Sequence, residues 1–418
     1  MKVVIIAGGQ GTRIASVNSE IPKAMIPVCG KPVIEHQVEL AKRYGYTEFI
    51  FLIGYLGENI VQHFGNGERW GVKISYYHEQ KPLGTAGALA EVADILSDDF
   101  FVFYGDTVMD IDMERMMTFH RHHQADATLF IHPNDHPYDS DIVEIDHDCR
   151  VTHFLHKPHP EGFVSNNMVN AALFIFNKRI ISSIERGVKS HIEKDVLPTC
   201  LKKGMGLYGY ISSEYVKDMG TPDRYYQVCQ DWESGRVHSM NYEHPRKAVF
   251  LDRDGVINVD EGLVYKPEKI KLIEGVENAL NYIHEKGYLA VIVTNQSVIA
   301  RNLCTFEELD KINATLETLL GKKHAYIDGI YQCPHHPDSG YPEERKEFKI
   351  KCNCRKPAPG LLLQAAKDMN IELSESFMIG DRLSDVQAGE NAGVKQSVMI
   401  PTNESGALLK TLKKILLP

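Results

Sequence analysis

The stretch Phe250-Leu251-Asp252-Arg253-Asp254-Gly255-Val256-Ile257-Asn258 constrains this chain more than any other. A short apolar strand runs into a loop that presents two carboxylates two residues apart. Residues i and i+2 of an extended segment share a face, so Asp252 and Asp254 can aim at one site, and Gly255 permits the tight turn after them. A carboxylate nucleophile beside a second carboxyl group is one route to phosphoryl transfer through an aspartyl-phosphate. A surface DxD turn is the competing reading. The stretch divides the chain in two, and a set of phosphate-handling residues lies on each side.

At 418 residues there is room for about two or three domains. A content of 43% hydrophobic and 24% charged residues is that of a soluble globular protein. The net charge of −10 argues against nucleic acid or an anionic membrane as partner, so a phosphate substrate must be held by local Lys, Arg, backbone N–H groups and metal. No apolar run approaches the roughly 20 residues of a membrane span, and the run from Met1 to Gly9 is too short for a signal sequence. Cys29, Cys149, Cys200, Cys229 and Cys304 are scattered singly, which fits a reduced cytoplasm. Oligomeric state is not legible.

In the first half, Lys2 to Ala7 is a β-branched run with the pattern of a buried parallel strand. Gly8-Gly9-Gln10-Gly11-Thr12-Arg13 follows it, a glycine loop whose N–H groups can form an anion-binding concavity. Its spacing is neither GxGxxG nor GxxxxGK[ST]. Pro22-Lys23, Met25-Ile26-Pro27-Val28 and Gly30-Lys31-Pro32 come next, then Pro82-Leu83-Gly84-Thr85-Ala86-Gly87 and the strand Phe101-Val102-Phe103-Tyr104-Gly105-Asp106. Lys157-Pro158, Asn170-Ala171-Ala172, Glu193 to Pro198 and Lys217-Asp218-Met219-Gly220-Thr221-Pro222 complete the set. In this order and register the half resembles the sugar-1-phosphate nucleotidyltransferases, with His156 standing where that family usually has Glu. The resemblance implies Arg13 and Lys23 as catalytic clamps on the triphosphate. It implies Gly8, Gly9, Gly11, Thr12, Gly84 and Thr85 around the nucleotide, Lys157 and Asn170 on the sugar phosphate, and Asp106 and Asp218 as Mg²⁺ ligands. Asp106 as a strand-end cap and Lys23 as a solvated charge are the bland alternatives. No hexapeptide repeat is present, so a terminal β-helix is not expected.

In the second half, Leu289 to Gln296 reads as a strand ending in Thr294 and Asn295, Arg355-Lys356-Pro357 supplies cations, and Phe377 to Arg382 is a strand ending in Asp381. With Asp252 and Asp254 these resemble the four motifs of the haloacid dehalogenase phosphatases. The resemblance implies Asp252 as nucleophile and Asp254 as general acid and base. Thr294, Asn295, Arg355 and Lys356 would hold the phosphoryl group; Asp252, Asp254 and Asp381 would hold Mg²⁺, with Asp385 one turn on in support. All four motifs are expected at strand C-termini. The segment between Asn258 and the helix near Gly275 is too short for a helical cap. Cys333-Pro334-His335 and Cys352-Asn353-Cys354 give three thiols and one imidazole, a ligand set for structural Zn²⁺; two unrelated buried pairs are the alternative. This pattern resembles the D,D-heptose 1,7-bisphosphate phosphatases and the related histidinol-phosphatases. It departs from them in the long charged insertion Asp338 to Lys351, and in Val298 and Asn302 where those families prefer glycine.

The expected fold is α/β, with two doubly wound Rossmann-like domains: an N-terminal nucleotidyltransferase fold and a C-terminal capless dehalogenase-type fold with a zinc loop. The expected boundaries are 1–232, a linker at 233–246, and 247–418. The expected activity is bifunctional: removal of the 7-phosphate from a heptose 1,7-bisphosphate, then nucleotidyl transfer to the heptose 1-phosphate. GTP is favoured because that succession leads to GDP-activated heptose. The alternatives are another sugar phosphate beside a histidinol-phosphatase-like half, or a regulatory protein with a degenerate transferase half.

Overall fold

The computed structural model describes residues 1–9, 12–14, 16–18, 20–338 and 343–416; Gly11 lies outside them, as does the side chain of Thr12. By mutual contact the chain divides into two compact units. The first is Met1–Ile131, Val143–His156 and Asn170–Asn241; the second is His132–Ile142, Lys157–Val169 and Tyr242–Pro418. This differs from the sequence expectation twice. Two excursions from the first half group with the second unit, where the N–H groups of Ser165 and Asn167 meet Thr318 Oγ1 at 3.3 Å and Glu317 Oε2 at 3.4 Å. The stretch expected as a linker is structured as well: Arg236–Ser239 is a short helix that buries Val237 in the first unit's core, and Asn241 is fully buried.

The first unit is built on a nine-stranded sheet. Its middle strand, Lys2–Ala7, pairs in parallel with Glu48–Ile53 on one side and Asp99–Tyr104 on the other, and Lys73–His78 extends the parallel part. Val3, Val4 and Ile5 are fully buried, as a strand covered on both faces requires. Val169–Asn177 runs antiparallel to Asp99–Tyr104, so the sheet is mixed. Helices Val33–Arg43 and Met113–His122 bring Ile34, Val38, Met113, Met116 and Met117 onto it. A separate antiparallel ribbon, Thr107–Asp110 with Tyr215–Asp218, sets Asp218 opposite Thr107 and thus beside Asp106.

In the second unit five parallel strands lie in the order Gly329–Cys333, Tyr288–Asn295, Lys247–Leu251, Phe377–Gly380, Gln396–Met399. Asp252, Thr294-Asn295 and Asp381 therefore emerge together at the C-terminal ends of the three inner strands. The expectation that all four motifs end strands fails for Arg355-Lys356-Pro357, which lies in the loop before helix Gly360–Met369. Helix Phe306–Gly321 starts where it does because Thr305 and Glu308 form a capping box. Between Asn258 and helix Val276–Glu285 only one short helical turn, Pro267–Lys269, intervenes, so no helical cap is present there. Among the described residues no helix is long and apolar enough to cross a membrane.

Candidate functional site

In the first unit a cavity of about 330 Å³ opens where the parallel strands end. Gly9 and Arg13 reach it from beyond Lys2–Ala7, Tyr104, Gly105 and Asp106 from the neighbouring strand, and Lys23, Thr85 and Gly220 complete the wall. Gly8 and Gly84 adjoin wall residues in sequence. Lys23 pairs with Asp106. Met219 donates its N–H to Asp106 O at 3.0 Å, which brings the Asp218 turn alongside. Asp218 Oδ1 accepts the Gly220 N–H at 2.7 Å and its Oδ2 meets Arg224 at 2.6 Å. A Cβ on Gly220 would stand 2.5 Å from Asp218 Oδ1, so a side chain there would displace that carboxylate oxygen. Burial raises the Asp218 carboxyl, but Arg224, the Gly220 N–H and Lys23 outweigh it and hold its pKa below the usual range.

Two wall residues have partners that the motif did not announce. The Tyr104 hydroxyl donates to Glu193 Oε1 at 2.6 Å; burial, with Glu193 beside it, keeps that hydroxyl protonated well above the ordinary tyrosine range. Thr85 Oγ1 accepts the Ile192 N–H at 2.9 Å, so part of its role is to hold its own loop. Lys157 and Asn170, expected on the sugar phosphate, are not brought to this wall. Lys157 groups with the second unit and its Nζ donates to Asp139 O at 2.7 Å, while Asn170 Oδ1 accepts the Ala172 N–H at 3.2 Å. Both use polar atoms on their own neighbours.

In the second unit the buried Lys356 ammonium, 3% exposed, is the organising charge. It lies 2.9 Å from Asp252 Oδ1 and 2.6 Å from Asp385 Oδ1. Burial above all, with Asp385 and Asp254 beside it, outweighs the pull of Lys356 and leaves the Asp252 carboxyl raised to about 6. Burial opposes the charge on Lys356, yet Asp252 and Asp385 together raise its pKa, so the ammonium is retained. Asp381 joins the same cluster, its Oδ2 accepting the Thr402 hydroxyl at 2.8 Å. Gly255, at φ +85°, turns the chain away beneath it, and a Cβ there would stand 2.4 Å from Asp381 Oδ2.

The carboxylates that come together as a candidate cation site are Asp252, Asp381 and Asp385. Asp254, expected as a further Mg²⁺ ligand, is not in that group, and its carboxylate accepts from protein donors. Fully buried Arg253 holds it through two guanidinium nitrogens at 3.0–3.2 Å, Asn258 Nδ2 donates at 2.9 Å and Gln296 Nε2 at 2.8 Å. Asn295, expected on the phosphoryl group, has both ends of its amide on the Lys356 backbone, Nδ2 donating to O at 3.1 Å and Oδ1 accepting the N–H at 3.0 Å. Thr294 is 1% exposed, its hydroxyl accepting from Gln296 at 2.9 Å. Gln296 went unassigned in the sequence, although its i+2 spacing from Thr294 puts both on one face. Arg355 turns one guanidinium nitrogen to His335 O at 3.0 Å.

Cys333, His335, Cys352 and Cys354 converge with donor atoms within 4.8 Å of one another. Cys354 Sγ is 3.0 Å from Cys333 Sγ, 3.2 Å from Cys352 Sγ and 3.3 Å from His335 Nδ1. Three soft thiols and an imidazole at such spacing are a donor set that fits zinc. Burial, Arg355 and Arg301 lower the pKa of the adjacent His336.

Comparison with known proteins assigns both halves. The family described as nucleotidyl transferase matches residues 2–235, and that described as haloacid dehalogenase-like hydrolase matches residues 202–393. The chain is 44% identical over 161 residues to the D-glycero-beta-D-manno-heptose-1,7-bisphosphate 7-phosphatase of Haemophilus ducreyi, covering 38% of this chain and 86% of that protein. HddC from Yersinia pseudotuberculosis aligns over 55% of this chain and 99% of its own, at 28% identity and a TM-score of 0.49. A Bacillus anthracis protein described as a glucose-1-phosphate thymidylyltransferase aligns over 55% and 94%, at 22% identity and a TM-score of 0.50, a likeness of fold alone. The chain thus belongs to the nucleotidyl transferase family through its first half and, through its second, to the haloacid dehalogenase-like hydrolases related to heptose-bisphosphate 7-phosphatases: it is a transferase fused to a hydrolase.

Proposed function

We propose that the hydrolase half removes the 7-phosphate of D-glycero-D-manno-heptose 1,7-bisphosphate. The transferase half then passes a nucleotidyl group, GMP from GTP, to the heptose 1-phosphate that remains, releasing pyrophosphate. One observation carries this reading. A chain with the transferase cavity of Arg13, Lys23 and Asp106 also carries a half related to phosphatases whose product class is the acceptor that a sugar nucleotidyltransferase needs.

In the hydrolase half Asp252 attacks the phosphorus and the sugar alkoxide leaves, taking a proton from Asp254. Asp254 then activates the water that releases phosphate from the aspartyl-phosphate. Gln296, Asn258 and Arg253 hold the Asp254 carboxylate in one orientation throughout. Lys356 neutralises the charge that develops beside Asp252. Mg²⁺ would be held by Asp252, Asp381 and Asp385, three hard oxygen donors that fit it, and would supply electrostatic stabilisation of the phosphoryl oxygens. Zn²⁺ would be held by Cys333, His335, Cys352 and Cys354 and would stiffen the loop that carries Arg355 and Lys356. In the transferase half Arg13 and Lys23 clamp the triphosphate. Asp106 and Asp218 would hold Mg²⁺ there, beside Lys23 and Arg224.

The test is mass spectrometry of products from each anomer of the bisphosphate with GTP or ATP. The relatives' names specify the β anomer, and running both anomers decides which one this chain takes. GDP-heptose, phosphate and pyrophosphate together support the proposal. No turnover of either bisphosphate, or far better turnover of histidinol phosphate, overturns it.

A further inference from the structure

The chain that leaves strand Gln396–Met399 runs beside the candidate cation site of the hydrolase half. Ile400 donates its N–H to Gly380 O at 2.9 Å, the Thr402 hydroxyl donates to Asp381 Oδ2 at 2.8 Å, and Asn403 donates its N–H to Gly255 O at 3.0 Å. Asn403 has φ +61°, a left-handed conformation that asparagine tolerates better than most residues. Its carboxamide brackets the backbone of Asp260, accepting the N–H at 2.7 Å and donating to the carbonyl at 3.0 Å. One short loop thus joins the Asp381 carboxylate, the turn after Asp254 and the start of the segment that stands where a helical cap would.

The Asp381 side chain is only 1% exposed, and its two oxygens are used unequally. Oδ2 is taken by the Thr402 hydroxyl, whereas Oδ1 is buried with no hydrogen-bond partner, and Arg382 Nε stands 4.0 Å from it. A buried carboxylate oxygen left in this way is costly unless a cation meets it. Asp385 is shared in a similar fashion, with Oδ1 on Lys356 and Oδ2 accepting the Arg382 N–H at 2.9 Å. A carboxylate with one oxygen held by a protein donor meets a metal ion through the other. Mg²⁺ demands a small, near-ideal octahedron, whereas Ca²⁺ has a larger and looser shell that readily takes both oxygens of one carboxylate.

We infer that Thr402 is a specificity-determining residue of the hydrolase centre. By holding Asp381 Oδ2 it limits Asp381 to one ligand oxygen and so favours Mg²⁺ over Ca²⁺, and Asn403 is the positioning residue that keeps Thr402 in place. The inference rests on the reading of Asp252, Asp381 and Asp385 as the Mg²⁺ site, and not on which ester the centre hydrolyses.

The test is calorimetric titration of the full chain, replete with Zn²⁺, with Mg²⁺ alone or Ca²⁺ alone and no substrate. An Asp106→Ala background removes the Mg²⁺ site proposed for the transferase half. Loss of a hydrogen-bond partner of a ligand changes metal affinity by about 10- to 100-fold. Thr402→Val keeps the side-chain shape without the hydroxyl, and should lower the ratio of Mg²⁺ to Ca²⁺ affinity by about tenfold or more. Thr402→Ser should restore the ratio. Thr402 is exposed, so neither change removes core packing. Asn403→Gly keeps the left-handed backbone and loses the carboxamide, and should move the ratio the same way by less. At fixed Mg²⁺, Ca²⁺ should inhibit phosphate release by Thr402→Val at a lower concentration than in the wild type. General loosening of the site would weaken both ions alike, so a ratio that Thr402→Val leaves unchanged overturns the inference. No Mg²⁺ binding with threonine in place overturns it together with the cation site. A shifted ratio in a protein that does not hydrolyse the heptose bisphosphate supports it while the heptose reading fails.

Discussion

The carboxamide of Asn295 brackets the backbone of Lys356, donating to its carbonyl at 3.1 Å and accepting from its N–H at 3.0 Å. The residue expected on the phosphoryl group thus also fixes the backbone of the neighbouring lysine. Asn295→Ala should lower kcat of phosphate release about 10- to 100-fold through misplacement of Lys356, and leave nucleotidyl transfer unchanged. A kcat equal to wild type in the phosphate-release assay would dismiss that role.

The two activities should separate. Asp252→Asn removes the nucleophile of one half and should abolish phosphate release, while pyrophosphate release continues when heptose 1-phosphate is supplied with GTP. Asp106→Ala should do the reverse. Loss of both activities from either substitution, in protein that keeps its circular dichroism, contradicts two independent sites.

Lys356 is placed between two carboxylates, with almost no exposed surface. Lys356→Met would leave Asp252 and Asp385 buried without their cation, and breaking such a pair costs about 3–5 kcal/mol. Urea unfolding in Mg²⁺-free buffer measures it, followed by a probe of the second unit. A midpoint unchanged from wild type would show that the carboxylates are compensated in another way.

Protein purified without chelator should carry about one zinc per chain, held by the thiols and imidazole of one site. Cys352→Ser should lose the metal, lower the thermal midpoint of the second unit and slow phosphate release. Elemental analysis that finds no zinc rejects the site.

Glu317 is buried on helix Phe306–Gly321, and burial raises its pKa to about 7, opposed by the Asn167 N–H. Between the ordinary glutamate value and about 7 the folded state therefore holds a proton that the unfolded state has released. Its contribution to stability is complete below the unfolded pKa and is lost as pH rises through the folded one. That loss amounts to about 3 kcal/mol at most. Glu317→Gln should accordingly gain stability over wild type at pH 8 and little at pH 5. Denaturation curves at the two pH values check this; an equal difference at both would show that ionisation of Glu317 is not the cause.

These strands were legible because local pattern dictates them. Lys2–Ala7, Phe101–Tyr104, Phe250–Leu251 and Leu289–Val293 are apolar runs too short for helices and bounded by turn residues. The positions of Asp252, Thr294 and Asp381 at strand ends followed from those runs. The Cys333, His335, Cys352 and Cys354 set was likewise given by residue type and spacing.

What only the tertiary structure decided is where side chains are spent. Asp385, one helical turn beyond Asp381, comes within reach of Asp252 and Asp381, whereas the Asp254 carboxylate meets Arg253, Asn258 and Gln296. Lys157 reaches across to Asp139 in the other excursion, Asn170 meets Ala172, and both excursions of the first half group with the second unit. A motif fixes residue type and local backbone, which depend on neighbours a few positions away. The partner that a polar atom finds depends on contacts between residues far apart in sequence, where several donors compete and burial decides among them.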